Sequence, residues 1–252
     1  MPVPLTLPRL AWGDPASDRH ALLVHGLGSS AALMWRLGEA LAEAGWHATA
    51  VDLRGHGDAP RALDYTVAAY GADLSITLPH RDGSWDAVIG HSLGGAASTL
   101  AAASDPAWTR RLVLIDPAIS LEGRDATVIR KSQERAFDDN RLEVVRAEHP
   151  HWHPQDVELK VDAVHRASRW AVEQTSAQNR PWDVRAEAAT LAVPTHVIAA
   201  DPSVYSLFAG EAAEGILASN PRITMSVVEG AGHSPHRDKP EDTVRHLLEA
   251  LS

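Results

Sequence analysis

The chain contains no cysteine, which excludes disulfides, thiolate metal sites and a cysteine nucleophile. It also lacks an excess of basic charge. Lys and Arg total 23 against 33 Asp and Glu, a formal net charge of −10, which argues against a nucleic-acid partner. Lysine is scarce, confined to Lys131, Lys160 and Lys239, and nothing in the sequence explains the bias toward arginine. No segment approaches the roughly 20 consecutive apolar residues of a membrane span. Residues 1–12 alternate apolar positions with Pro2, Pro4 and Pro8, without a basic start or a continuous apolar stretch, so they do not read as a secretory signal. These absences lead to the expectation of a cytoplasmic protein with no membrane or nucleic-acid partner. A length of 252 residues suffices for one α/β domain with a full core and a small inserted lid.

What the chain does have is organised around Trp85-Asp86-Ala87-Val88-Ile89-Gly90-His91-Ser92-Leu93-Gly94-Gly95. A short apolar strand runs into Gly-His-Ser-Leu-Gly, and an Ala-rich helical pattern follows at once. This is the G-x-S-x-G pattern in the strand–turn–helix setting that a serine nucleophile needs. Such a turn holds the serine in a strained backbone conformation, so Gly90 and Gly94 keep the adjoining chain free of Cβ clashes. Ser92 then stands at a helix N-terminus, where amide groups favour developing negative charge.

On either side of this stretch, strands alternate with helices. Residues 5–12 read as an edge strand. Ala21 to His25 is a continuous apolar run of the kind buried in a parallel sheet, and His47 to Asp52 is another. Apolar residues at 34, 37, 41 and 44 give a helix closed by Gly45, and Thr66 can cap one carrying Val67, Tyr70 and Leu74. Strands at 111–117, 193–201 and 223–228 follow, with a closing helix from Pro240 to Leu251. The alternation breaks between 120 and 188, a charged stretch with Trp152, Trp170 and Trp182 and no β-like run. The expectation is a doubly wound, mostly parallel sheet built from residues 1–119 and 189–252, with 120–188 as a helical cap.

A serine hydroxyl needs a base, and the base needs a carboxylate to orient it. His233 fits the base, in the Gly-rich loop after the last strand; His236 competes but already enters the lead-in to the closing helix. Two aspartates compete for the third place, Asp201 and Asp116, each at a strand end and each followed by proline. Either could equally be an Asp-Pro turn. The oxyanion of a tetrahedral intermediate needs two N–H donors, for which the amides of Leu93 and Leu27 are the candidates. His149-Pro150-His151-Trp152-His153-Pro154 has the alternating histidines of a metal site but no carboxylates in register, so a lid loop is preferred and no metal or cofactor is expected. Among the cap tryptophans, Trp182, where the cap rejoins the core, is the candidate substrate-pocket residue.

These motifs resemble the α/β-hydrolase superfamily, in its bacterial, lid-bearing, single-domain form. The matching runs are His25-Gly26-Leu27-Gly28, Asp52-Leu53-Arg54-Gly55-His56-Gly57, Gly90-His91-Ser92-Leu93-Gly94 and Gly230-Ala231-Gly232-His233. The resemblance implies an α/β-hydrolase fold with a small helical cap inserted after the sixth strand. It favours Asp201 as the acid, because the acid loop of this fold usually follows the strand that re-enters after the cap, with Asp116 as the alternative. Haloalkane dehalogenases and epoxide hydrolases of the fold use aspartate where Ser92 stands. Epoxide hydrolases also need cap tyrosines, whereas Tyr65, Tyr70 and Tyr205 fall outside 120–188. Carbon–carbon hydrolases usually carry Trp where Ser234 follows His233. What the resemblance leaves is hydrolysis of a small-to-medium apolar carboxylic ester or lactone, without a cofactor, through an acyl-enzyme on Ser92. A cofactor-free haloperoxidase or perhydrolase, or a triad-bearing ligand receptor with negligible turnover, is the alternative.

Overall fold

The computed structural model describes residues 2–80 and 83–252. The strands are β1 (Arg9–Trp12), β2 (His20–Val24), β3 (His47–Val51), β4 (Ala87–His91), β5 (Leu112–Ile115), β6 (Ser120–Leu121), β7 (Trp182–Asp183), β8 (Thr195–Ala200) and β9 (Ile223–Val228). Seven of them form one sheet in the order β1-β3-β2-β4-β5-β8-β9, parallel throughout except for β1, which runs antiparallel to β3. The strand expected over 5–12 is therefore shorter, and Pro8 marks where it fails to start: its carbonyl accepts from Asp52 N, but proline has no N–H to offer a ladder.

Both faces of this sheet are covered. The helices are α1 (Trp35–Glu43), α2 (Val67–Ser75), α3 (Leu93–Ser104), α4 (Gly123–Asp138), α5 (Leu142–Glu148), α6 (Pro154–Arg166), α7 (Arg169–Gln178), α8 (Arg185–Ala189), α9 (Gly210–Ser219), α10 (Pro235–Asp238) and α11 (Pro240–Leu251). Alternate side chains of β2 enter opposite cores: Leu22 and Val24 join Tyr70, Leu74, Ala97 and Ala101 of α2 and α3. Ala21 and Leu23 join Leu37 and Leu41 of α1 and Leu247 of α11. That is why β2 reads as an unbroken apolar run rather than an alternating one. Thr66 caps α2 as its sequence suggests, accepting from Ala69 N at 3.2 Å.

The order β3-β2-β4 creates the position for a site. The chain leaves β2 toward β3 on one side and returns to β4 on the other, so the loops at the C-terminal ends of β2 and β4 diverge and leave a crevice between them. Residues 26–29 and Ser92 face that crevice.

Between β5 and β8 the chain runs through β6, the four helices α4–α7, β7 and the short α8. The short β6 and β7 pair antiparallel, Ser120 with Asp183 and Leu121 with Trp182, which closes the excursion at its base. The insertion follows the fifth strand rather than the sixth, because β6 belongs to the excursion itself and pairs only with β7. The helix α8 crosses the expected boundary at 188. Its Ala188 belongs to the core of the sheet, and Asn220 ties the Ala188 and Leu191 carbonyls down at 3.1 and 3.0 Å. Among the described residues no helix is long and apolar enough to cross a membrane.

Candidate active site

Ser92 sits between β4 and α3 with φ 53° and ψ −117°. This is a conformation L residues rarely adopt, and here the surrounding packing dictates it. A Cβ on Gly90 would lie 2.6 Å from the Gly94 carbonyl oxygen, and one on Gly94 would lie 2.4 Å from that of Val24. Only glycine allows α3 to start this close to the end of β2. Ser92 N donates to Ile115 O at 3.1 Å, and Ser92 O accepts from Ala96 N and Ala118 N. The turn is thus tied to both α3 and the end of β5.

His233 comes from the loop after β9, and several bonds hold that loop. His91 Nε2 donates to the His233 carbonyl at 2.8 Å, and Gly232 N donates to Asp238 Oδ2 at 2.8 Å. Its ring then lies between two partners: Nε2 is 3.0 Å from Ser92 Oγ, and Nδ1 is 2.6 Å from Asp116 Oδ2. His236 is buried against the edge of His91, with ring centroids 4.7 Å apart, and has no bond to Ser92.

The carboxylate that meets His233 is that of Asp116, not Asp201, which corrects the preference drawn from the resemblance. Asp116 follows β5 with φ 37°; among the described non-glycine residues it shares a positive φ only with Ser92. It is fully buried and collects donors on both oxygens: Ser206 Oγ at 2.5 Å, Ala200 N at 3.2 Å and Phe208 N at 3.3 Å on Oδ1, and Leu207 N at 3.0 Å on Oδ2. Burial pushes this carboxyl up, but the bonds from His233, Ser206 and Leu207 outweigh it and hold it below the usual carboxylate range. Asp201 is engaged elsewhere. Its carboxylate accepts Ser203 N at 2.8 Å, an Asx turn, and Gly230 N at 2.8 Å. It braces the His233 loop through backbone amides and does not reach the imidazole.

The two residues expected to supply oxyanion donors both lie near Ser92. Leu93 is the first residue of α3, so its N–H has no acceptor within the helix. Leu27 lies on the loop after β2 and lines the cavity above Ser92. That loop is clamped by groups the sequence reading did not single out: Gly28 N donates to His56 Nε2 at 3.1 Å, Lys160 Nζ donates to Gly28 O at 2.8 Å, and Gln133 Nε2 donates to Leu27 O at 3.3 Å. His25 stands beneath it, donating from Nδ1 to Gly26 O at 2.7 Å and accepting Leu53 N on Nε2 at 3.0 Å.

A cavity of about 370 Å³ opens over Ser92 and His233. It mixes apolar Leu27, Val128 and Ile129 with Gln133, Trp152, Lys160, Tyr205 and Arg237. Trp182 is not among its lining residues, a second correction. Its indole N–H donates to Ala118 O at 2.7 Å and its ring is buried in the core at the base of the insertion. The tryptophan at the cavity is Trp152, whose Nε1 donates to Asp238 Oδ1 at 2.6 Å and whose ring stacks on His149 at 3.7 Å. No periodicity signals it, because it sits in a loop. Of the remaining histidines in that run, His153 caps α6 by accepting Gln155 N. Among the described residues no group of three or more His, Asp or Glu side chains is arranged to hold a metal ion.

Known proteins carry the same framework. The structure of an N-formylmaleamic acid deformylase from Pseudomonas putida S16 superposes with a TM-score of 0.80 at 25% identity, covering 96% of each chain. That of an E-2-(acetamidomethylene)succinate hydrolase gives 0.80 at 22% identity, covering 98% of this chain and 95% of the other, a likeness of fold. Among curated proteins, lipase LipV of Mycobacterium tuberculosis is 35% identical over 109 residues, 43% of this chain and 41% of the lipase. A carbamate hydrolase assigned in Variovorax paradoxus, RutD, is 38% identical over 104 residues, 40% of this chain and 39% of that protein. This chain thus spans about two fifths of the length of these curated relatives. The sequence model of the alpha/beta hydrolase family matches residues 21–246, and with the sheet order and the turn at Ser92 this places the chain in that family.

Proposed function

We propose that this protein is a serine hydrolase that cleaves a small-to-medium carboxylic ester or lactone through an acyl-enzyme on Ser92. The observation that carries the reading is the position of the His233 ring, 3.0 Å from Ser92 Oγ through Nε2 and 2.6 Å from Asp116 through Nδ1. Asp116 fixes the tautomer with the proton on Nδ1, leaving Nε2 free to take the Ser92 proton as Oγ attacks the carbonyl carbon. The amides of Leu27 and Leu93 receive the oxyanion. His233 then returns the proton to the leaving alkoxide, and the acyl group stays on Ser92. Water, activated by the same Nε2, attacks the acyl-enzyme and releases the acid. Every proton moves through His233, so the transfers call on no second acid or base.

The expectation of an apolar substrate gives way to a mixed one. Leu27, Val128 and Ile129 suit a short hydrocarbon segment, but Lys160 and Arg237 line the same cavity. The test is a fluorophosphonate probe with a panel of esters and lactones of graded size. The probe should label the wild type and not Ser92→Ala, and Ser92→Ala should lose several orders of magnitude in turnover while remaining folded. Labelling that persists in Ser92→Ala, or a wild type that neither labels nor turns over any ester, overturns the reading.

A further inference from the structure

Two cations face the cavity over Ser92 without an anion in contact. Arg237 is 5% exposed; its Nη2 donates to Ser29 Oγ at 3.2 Å, and its Nε has no acceptor among the described residues. The guanidinium lies over the Trp152 ring, 5.1 Å from the centroid. Lys160 reaches in from α6 and spends one of its donors on Gly28 O at 2.8 Å. Burial, and then the charge of Arg237, press its ammonium down to about 7.

The nearby carboxylates are engaged with other donors, including that of Asp238, which lines the same cavity. Asp156 accepts from Trp35 Nε1 at 2.7 Å and pairs with Arg36 at 3.0 Å. Asp238 holds Trp152 Nε1 and Gly232 N, and Glu148 pairs with Arg135 at 3.4 Å. Among the described residues no carboxylate comes within ion-pair distance of either Lys160 or Arg237. A buried charge left in this state is unfavourable, and two of like sign facing one cavity are more so. An anion entering the cavity would meet free N–H donors already held in place, forming charge-assisted bonds at little further cost in ordering.

Their anchors fix where such an anion would lie. Lys160 is tied to Gly28 and Arg237 to Ser29, one and two residues beyond Leu27 on the same loop. We propose, building on the esterase reading above, that Lys160 and Arg237 form a carboxylate subsite, and that the substrate is a half-ester of a short dicarboxylic acid or an ester bearing a carboxylate a few carbons from the scissile carbonyl. Leu27, Val128 and Ile129 then face the methylene segment between the two ends. Cleavage would release a dicarboxylate and an alcohol, so the reaction that supplies this substrate is one that leaves a free carboxylate beside an ester.

The experiment compares methyl hydrogen glutarate with methyl pentanoate, which match in chain length and differ in the terminal charge, by pH-stat hydrolysis. The half-ester should show the higher kcat/KM by about tenfold or more, chiefly through KM. Arg237→Gln and Lys160→Gln should each collapse that ratio, and Arg237→Lys should restore part of it. A ratio near one in the wild type, or a preference that survives both Gln variants, overturns the proposal. Calorimetric titration of glutarate into the wild-type protein is read independently of turnover. Glutarate should bind, pentanamide should not, and Arg237→Gln should weaken glutarate by about tenfold. Should no ester be hydrolysed while glutarate binds through these residues, the esterase reading fails and the subsite stands. Absence of glutarate binding with normal hydrolysis of methyl pentanoate sinks the subsite alone. If Arg237→Gln does not fold, Lys160→Gln, at a less buried position, carries the comparison.

Discussion

Asp116 Oδ2 lies 2.6 Å from His233 Nδ1, although 116 and 233 stand on either side of the inserted helices and Asp201 is far nearer to His233 in the chain. The loop after β8, where Asp201 sits, still serves this pair: Ser206, Leu207 and Phe208 all donate to the Asp116 carboxylate. The loop thus supplies donors to an acid at the end of the neighbouring strand rather than the acid that meets His233. Asp116→Asn should therefore lower kcat by about 10³ to 10⁴, because an amide favours the wrong imidazole tautomer. Asp201→Asn keeps an acceptor oxygen for only one of the Ser203 and Gly230 amides, but it touches neither His233 nor Asp116 and should cost far less. Steady-state kinetics on both variants, with circular dichroism to show that each is folded, decides between them. Near-normal turnover by Asp116→Asn would reverse the assignment.

The sequence made the framework legible because strand and turn chemistry are local. The apolar runs at 21–25, 87–91 and 112–115 are buried on both faces, so they show themselves without a partner. Gly90, Ser92 and Gly94 likewise report a turn that can close in only one way. The choice between Asp116 and Asp201 was not legible, since both are Asp-Pro at a strand end and only the path of residues 201–209 separates them. Ser203, two residues after Asp201, carried the signal of an Asx turn. Lys160, Trp152 and Arg237 could not be picked out as a group. They reach the cavity from α6, from the loop before it and from α10, and no spacing in the chain encodes that convergence.

Trp182 supplies a test that separates packing from binding. Its indole N–H is bonded to Ala118 O, just beyond Pro117 and Asp116, and its backbone pairs with Leu121 where the insertion begins. Trp182→Phe keeps most of the apolar contact but leaves a buried carbonyl unpaired, which costs about 1–3 kcal/mol. The urea midpoint should fall while KM for ester substrates stays at the wild-type value. Trp152→Phe should act the other way, raising KM through the lost bond to Asp238 and the displaced Arg237. A KM effect for Trp182→Phe equal to that of Trp152→Phe would return Trp182 to the substrate site.

The loop that carries Leu27 also makes stability depend on pH, through histidines that are buried and neutral. Burial holds His25 at about 4, with the charges of Arg237 and Lys160 adding to the effect. Burial and the neighbouring His25 hold His56 at about 3. Both lie below the ordinary histidine value of 6.5, so between that value and about 4 the unfolded chain binds protons that the folded chain does not. The stability these groups contribute is fully present above 6.5 and is lost as pH falls toward their folded values. Each contributes a slope of about 1.4 kcal/mol per pH unit in that window, so acidification from about pH 6.5 to about pH 5 is strongly destabilising. His91 and His236 are shifted in the same direction by burial and add to it. Urea unfolding at the two pH values measures the slope. His56→Gln supplies an acceptor for Gly28 N and a donor for Arg54 O but cannot take up a proton, so its slope should be shallower by about one histidine's share. An unchanged slope in His56→Gln, or a wild type that gains stability on acidification, would refute the account. Protonation of His56 would also remove the acceptor that holds Gly28 N, so the Leu27 loop should loosen in the same pH range in which the fold weakens.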